Sequence, residues 1–175
     1  MEYFEIERPK ALIFDAKSKP NLKIWFANGL CYHERNSDDK TVVNFPIVGK
    51  YKSNFKPCGE VDIHKFYDPN FKSEIVPLIK TTLNTPIAHI DIDKNCIYTG
   101  RYFDKLNYQM QIAILEHEKA HKIALNDEQQ ADDIAASNFL KLGLNQTQML
   151  YSLKMFAPKC IERYENYFKT LKKQI

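Results

Sequence analysis

Residues 110–115 are apolar on nearly every side of a helix, Gln111 excepted, and a helix that is apolar all round lies inside a protein. The run that follows, His117-Glu118-Lys119-Ala120-His121, puts two imidazoles, a carboxylate and an ammonium on the same helix. A buried helix tolerates such a run only where its polar groups find partners, since each unpaired one costs about 1–3 kcal/mol and a charge costs more. The chain must therefore fold around an internal polar site.

Helical positions i and i+4 stack on one face. His117 and His121 can thus present two ring nitrogens to one metal at about 2.0–2.1 Å. Glu118 is turned by about 100° from His117, within reach of a water on the open side of such a metal. With five histidines in 175 residues, an HExxH arises by chance on the order of once in a hundred such chains. Two histidines need a third protein ligand, and the acidic candidates are Asp127, Glu128, Asp132 and Asp133. Glu116 points elsewhere on the helix. Asp127 has the ten-residue spacing from His117 of metzincin-type sites, but those need a glycine where Ala124 stands. Glu128-Gln129-Gln130-Ala131-Asp132 fits better: both carboxylates fall on one face of a second helix, and small Ala131 lets the helices approach. Glu128 then binds metal and Asp132 accepts the N–H of a ligating histidine, fixing its tautomer.

HExxH followed by ExxAD resembles the gluzincin metallopeptidases, and is most similar to the small zinc peptidases of bacteria and phages. The resemblance covers residues 87–143, a third of the chain. It implies Zn²⁺ held by His117, His121 and Glu128, with Glu118 as general base activating a metal-bound water and Asp132 orienting His117. It implies a peptide or protein substrate and a zincin-like α+β core, a short β-sheet packed on the HExxH helix with a helical C-terminal half. By the same likeness, residues 87–98 hold the strand that pairs with extended substrate. The gap from His121 to Glu128 is much shorter than in larger gluzincins, so the turn at Asn126 must be sharp. Tyr98, Arg101, Tyr102, Tyr151 and Tyr164 are candidates to polarise an oxyanion.

The pattern elsewhere divides the chain into a β-rich region, residues 1–70, and a core, residues 71–175. Apolar runs at 11–14, 23–26, 41–45 and 60–63 read as strands. Between them lie the turn formers Lys19-Pro20-Asn21, Asn28-Gly29, Asn36-Ser37-Asp38-Asp39 and Lys56-Pro57-Cys58-Gly59. His33 and His64 stand singly there and read as hydrogen-bonded or surface residues. Residues 71–83 suggest a short helix from Ser73, bent at Pro77. Alternation over 87–98 suggests a strand or hairpin turning at Asp93-Lys94-Asn95 and ended by Gly100. Asn107 suits the N-cap of a helix to about Leu125, and Asp127 that of a second helix ending at Gly143. Further helices follow on either side of Pro158.

A net charge of +3 does not argue for nucleic acid or an anionic membrane. No stretch approaches the roughly 20 apolar residues of a membrane span, and the acidic, aromatic N-terminus lacks the character of a signal peptide. The four separated cysteines read as reduced thiols. The expectation is a cytoplasmic protein, or one in the host cytoplasm or virion if phage-encoded. A second reading is a non-catalytic structural or docking protein, for example a phage virion component, that meets an assembly partner through residues 1–70. A third is a regulatory protease cleaving one specific partner.

Overall fold

The computed structural model describes residues 1–15, 21–35, 40–82 and 87–173. The fold is mixed α+β, and the chain divides into two compact units. One holds residues 1–71 with 107–109 and 140–148; the other holds 72–106, 110–139 and 149–175.

The first unit is built from seven strands: β1 (Glu2–Ile6), β2 (Lys10–Asp15), β3 (Leu22–Phe26), β4 (Cys31–Arg35), β5 (Lys40–Phe45), β6 (Gly49–Ser53) and β7 (Pro57–Val61). They form two antiparallel sheets, ordered β1-β6-β3-β4 and β5-β2-β7. Both sheets contribute to one core of Ile6, Leu12, Phe14, Leu22, Ile24, Tyr32, Val43, Phe45 and Tyr51. Phe45 meets Tyr51 edge to face at 5.0 Å and stacks on Tyr32 at 5.3 Å, both among the arrangements that ring quadrupoles favour. The buried hydroxyl of Tyr32 donates to the Asn44 carbonyl at 2.6 Å, and that of Tyr51 to Ile47 at 2.8 Å. Strand β5 is an edge, and the Asn145 side chain closes it in place of another strand. Its Nδ2 donates to the Val42 carbonyl at 2.8 Å, and its Oδ1 accepts from the Asn44 amide at 2.7 Å.

Gly143 sits at φ +77 in this unit. A Cβ there would come within 2.8 Å of both Ile63 Cδ1 and Tyr67 Cδ2 and 3.0 Å of Pro46 Cβ. Gly143→Ala combines left-handed strain with overpacking and is expected to cost about 2–3 kcal/mol. The urea midpoint reads this directly, and an unchanged midpoint would refute it.

The second unit has a three-stranded sheet of β8 (Leu78–Lys80), β9 (Ala88–Asp91) and β10 (Cys96–Thr99), with β10 central, parallel to β8 and antiparallel to β9. Four helices follow: α1 (Tyr108–Ala124), α2 (Glu128–Lys141), α3 (Gln146–Phe156) and α4 (Ile161–Lys173). The first residues of α1 and the last of α2 belong to the first unit. Ala88 and Ile90, buried on one face of β9, pack with Val76 and Ile97 against Ile114 and Leu115 of α1. The sheet thus sits on the helix that carries the HExxH. Ala120, Ala124 and Ala131 bring α1 and α2 together.

The expected helix over 71–83 is not formed. Residues 72–77 run without helix or strand into β8, which pairs with β10. Pro77 has no amide to donate and biases Val76 toward extended backbone. Lys119 and Lys122 of α1 also hold the segment through Ser73 and Glu74. The turns expected at Lys19-Pro20 and Asn36–Asp39 lie outside the described residues. All four cysteines are free thiols. Among the described residues, no helix is long and apolar enough to cross a membrane.

Candidate metal centre

The α1–α2 hairpin builds the site. Helix α1 starts at the residue after Asn107 and ends at Ala124. Leu125 then takes a left-handed conformation, φ +51, at the position where glycine or asparagine is usual. The strain, about 1–2 kcal/mol for an ordinary side chain, gives the reversal that the short link to α2 requires. Asp127 caps α2 through Oδ1, which accepts from the Gln130 amide at 3.0 Å. That capping role, in place of the metzincin-like one, accounts for Asp127.

Three donors converge. The Nε2 atoms of His117 and His121 lie 3.2 Å apart with the rings almost perpendicular. Glu128 places Oε2 3.5 Å from His117 Nε2 and Oε1 3.6 Å from His121 Nε2. All three ligand atoms fall within 4.8 Å of one another. Donors at 2.0–2.1 Å from a tetrahedral Zn²⁺ stand about 3.3 Å apart, so the spacing fits that ion. The far side of each ring fixes its tautomer. His117 Nδ1 is 3.0 Å from Asp132 Oδ1, and His121 Nδ1 is 2.7 Å from the Leu125 carbonyl oxygen. A carbonyl oxygen only accepts, so in the neutral form of His121 the proton sits on Nδ1 and the Nε2 lone pair faces His117. The Asp132 carboxylate facing His117 Nδ1 favours the same tautomer there. Two lone pairs at 3.2 Å repel, and a cation between them removes the conflict. The donor set and its arrangement fit Zn²⁺.

Glu118 belongs to the same helix turn but not to the donor cluster. Its Oε2 accepts from the Ile90 amide of β9 at 3.0 Å. Burial pushes its carboxyl up, against the pull of His117, of that amide and of His121. Burial works against a charged His117, yet the hydrogen bond and charge of Asp132, with Glu118 and Glu128, leave its pKa above the ordinary value. Asp132 is 2 % exposed at its side chain. Burial alone would raise its pKa, but hydrogen bonds from His117, Tyr164 and Arg163 more than reverse this and hold it low. A cavity of about 290 Å³ opens beside Glu118 and His117, with apolar walls that include Ile114, Leu153 and Ala157.

His117, His121, Glu118, Glu128 and Asp132 are therefore brought together. Glu116 points away, to Ser73, Lys119 and Asn138, and Asp133 pairs with Gln129 on the surface of α2. His33 is buried with Nδ1 3.2 Å from Gln109 Nε2, and His64 Nε2 lies 3.2 Å from the Leu144 carbonyl. Tyr164, one of the oxyanion candidates, is on the wrong side of the ring for that role. Its hydroxyl is 3.4 Å from His117 Nδ1 and hydrogen-bonds Asp132. Tyr98 is engaged by Lys94, while Arg101 and Tyr102 bond each other. Sequence reasoning missed Arg163, which donates to Asp132 Oδ2 at 2.6 Å. It also missed Leu125, whose carbonyl is not visible in a residue type. Arg163 lies 31 positions from Asp132, and no local spacing marks it.

No family model, curated protein or solved structure matches this chain.

Proposed function

We propose that this chain is a zinc-dependent metallopeptidase with a gluzincin-like site on a zincin-like core. The observation that carries the reading is the pair of Nε2 atoms facing each other at 3.2 Å with the Glu128 carboxylate beside them, each Nδ1 being turned toward an oxygen acceptor on its far side. His117, His121 and Glu128 hold the ion, and Asp132 and the Leu125 carbonyl hold the rings. When bound, Zn²⁺ supplies Lewis acidity toward a carbonyl and lowers the pKa of water to about 7.

Glu118 accepts the proton that the attacking water sheds as its oxygen bonds to the scissile carbonyl carbon. It then returns that proton to the amide nitrogen as the C–N bond breaks. Its raised pKa brings it closer to the working range of a general base, and the Ile90 amide fixes its orientation. The largely apolar cavity beside Glu118 has room for a hydrophobic side chain, which supports a peptide or protein as the substrate class.

Metal analysis of protein purified without added metal, beside His121→Ala, tests the reading. The expected result is about one zinc per chain, lost in the variant. Iron or manganese at the same stoichiometry would change the ion while keeping the site. A folded chain that neither holds nor takes up a divalent metal would overturn the proposal and favour a non-catalytic docking role.

A further inference from the structure

Arg163 and Tyr164 are neighbours on α4, and both reach Asp132, a residue of α2 outside the His117–His121–Glu128 donor cluster. Arg163 Nε donates to Asp132 Oδ2 at 2.6 Å, and its Nη2 lies 3.2 Å from the Cys160 sulfur. The guanidinium offsets the buried charge of Asp132, and its geometry does more than that. A carboxylate turns about its last bond in a broad, roughly two-fold well, and the contacts from Tyr164 and Arg163 narrow that rotation. Arginine carries only donors, fixed in one plane. Holding Oδ2, it sets the plane of the carboxylate and turns Oδ1 toward His117 Nδ1, 3.0 Å away.

We propose that Arg163 is a positioning residue. It sets the orientation of Asp132 and through it the tautomer of His117, so the divalent-cation affinity of the His117–His121–Glu128 site depends on a residue of α4. This rests on the metal-site reading above, but its test does not depend on hydrolysis.

Zinc affinity is measured by competition with a chromophoric chelator. The tautomer of His117 is read from imidazole ¹⁵N shifts of zinc-free protein at alkaline pH, where imidazoles are neutral. Wild-type protein is expected to show His117 protonated at Nδ1. Arg163→Gln should lose about 10–100-fold in zinc affinity and move His117 toward the Nε2-protonated form. Arg163→Lys keeps a cationic donor without the planar fork and should recover part of both effects. Glu162→Gln, an exposed neighbour on α4, should change neither. Wild-type zinc affinity with an unchanged tautomer in folded Arg163→Gln would overturn the proposal. So would an Nε2-protonated His117 in the wild-type chain, a result that needs no variant to fold. If the wild-type chain binds no zinc, the metal-site reading and the affinity claim that rests on it both fall. If zinc binds and weakens in Arg163→Gln but no peptide is cut, the peptidase reading falls and the role of Arg163 stands.

Discussion

Replacing Glu118 by glutamine is expected to leave zinc binding unchanged and to lower kcat/KM for a cleaved peptide by about 10²–10⁴-fold. Glutamine has the same shape, and its amide oxygen can still accept the Ile90 amide that Glu118 Oε2 accepts at 3.0 Å. What it loses is the ability to take a proton from water and hand it to the leaving nitrogen. Metal content must be measured on the same preparation, because retained zinc with lost turnover separates a failed base from a lost site. The cleaved peptide is found first, by mass spectrometry of a mixed peptide pool incubated with the wild-type chain. A Glu118→Gln protein that cleaves that peptide at the wild-type rate would remove Glu118 from the chemistry, whatever the metal result. If the partner is one specific protein, the pool stays uncut and the same comparison is made on that protein.

That His117, His121, Glu128 and Asp132 would cluster was legible because helix geometry is local. His117 and His121 are four positions apart, and Glu128 and Asp132 four apart on the next helix. Asp127 announced the start of that helix, and its side chain caps it. The alternation around Ala88 and Ile90 marked the strand that lies on α1. Less local features were hidden. Strands β4, with its His-Glu-Arg run, and β6, Gly-Lys-Tyr-Lys-Ser, carry too few apolar residues to show a period of two. They are strands because antiparallel neighbours pair with them. Residues 71–83 looked helical by composition, but the outcome turned on pairing of β8 with β10, and no pattern inside the segment encodes its partner. Leu125 gave no sign of a left-handed turn, since only glycine and asparagine advertise one. Arg163 acts across the gap between two helices, a distance no sequence window spans.

The largest effect on stability is expected at Lys119, the third residue of the HExxH run. Its ammonium contacts Glu116, Ser73 Oγ and, at 3.2 Å, the Glu74 carbonyl. Glu116 is almost wholly buried, and Asn138 Nδ2 donates to its other oxygen at 3.1 Å. Lys119→Met removes the cation that faces Glu116 while leaving its carboxylate inside the protein. Breaking one side of a buried ion pair costs about 3–5 kcal/mol. The double variant Glu116→Leu with Lys119→Met removes both charges, and a matched apolar pair is often neutral. Here Ser73 and Asn138 lose their acceptor, so recovery should be incomplete and the double variant should fall between the wild type and the single one. Unfolding by urea must be followed with a chelator present, because bound zinc would add stability by mass action. A Lys119→Met midpoint equal to that of the wild type would mean that Ser73 and Asn138 alone satisfy the carboxylate. Since Lys119 and Glu116 point away from His117, His121 and Glu128, zinc affinity of the folded Lys119→Met chain should remain that of the wild type. Loss of stability without loss of affinity would show how one helix turn serves two ends: its histidines face the proposed metal site while the residues between and beside them carry the ion pair that lets the turn be buried.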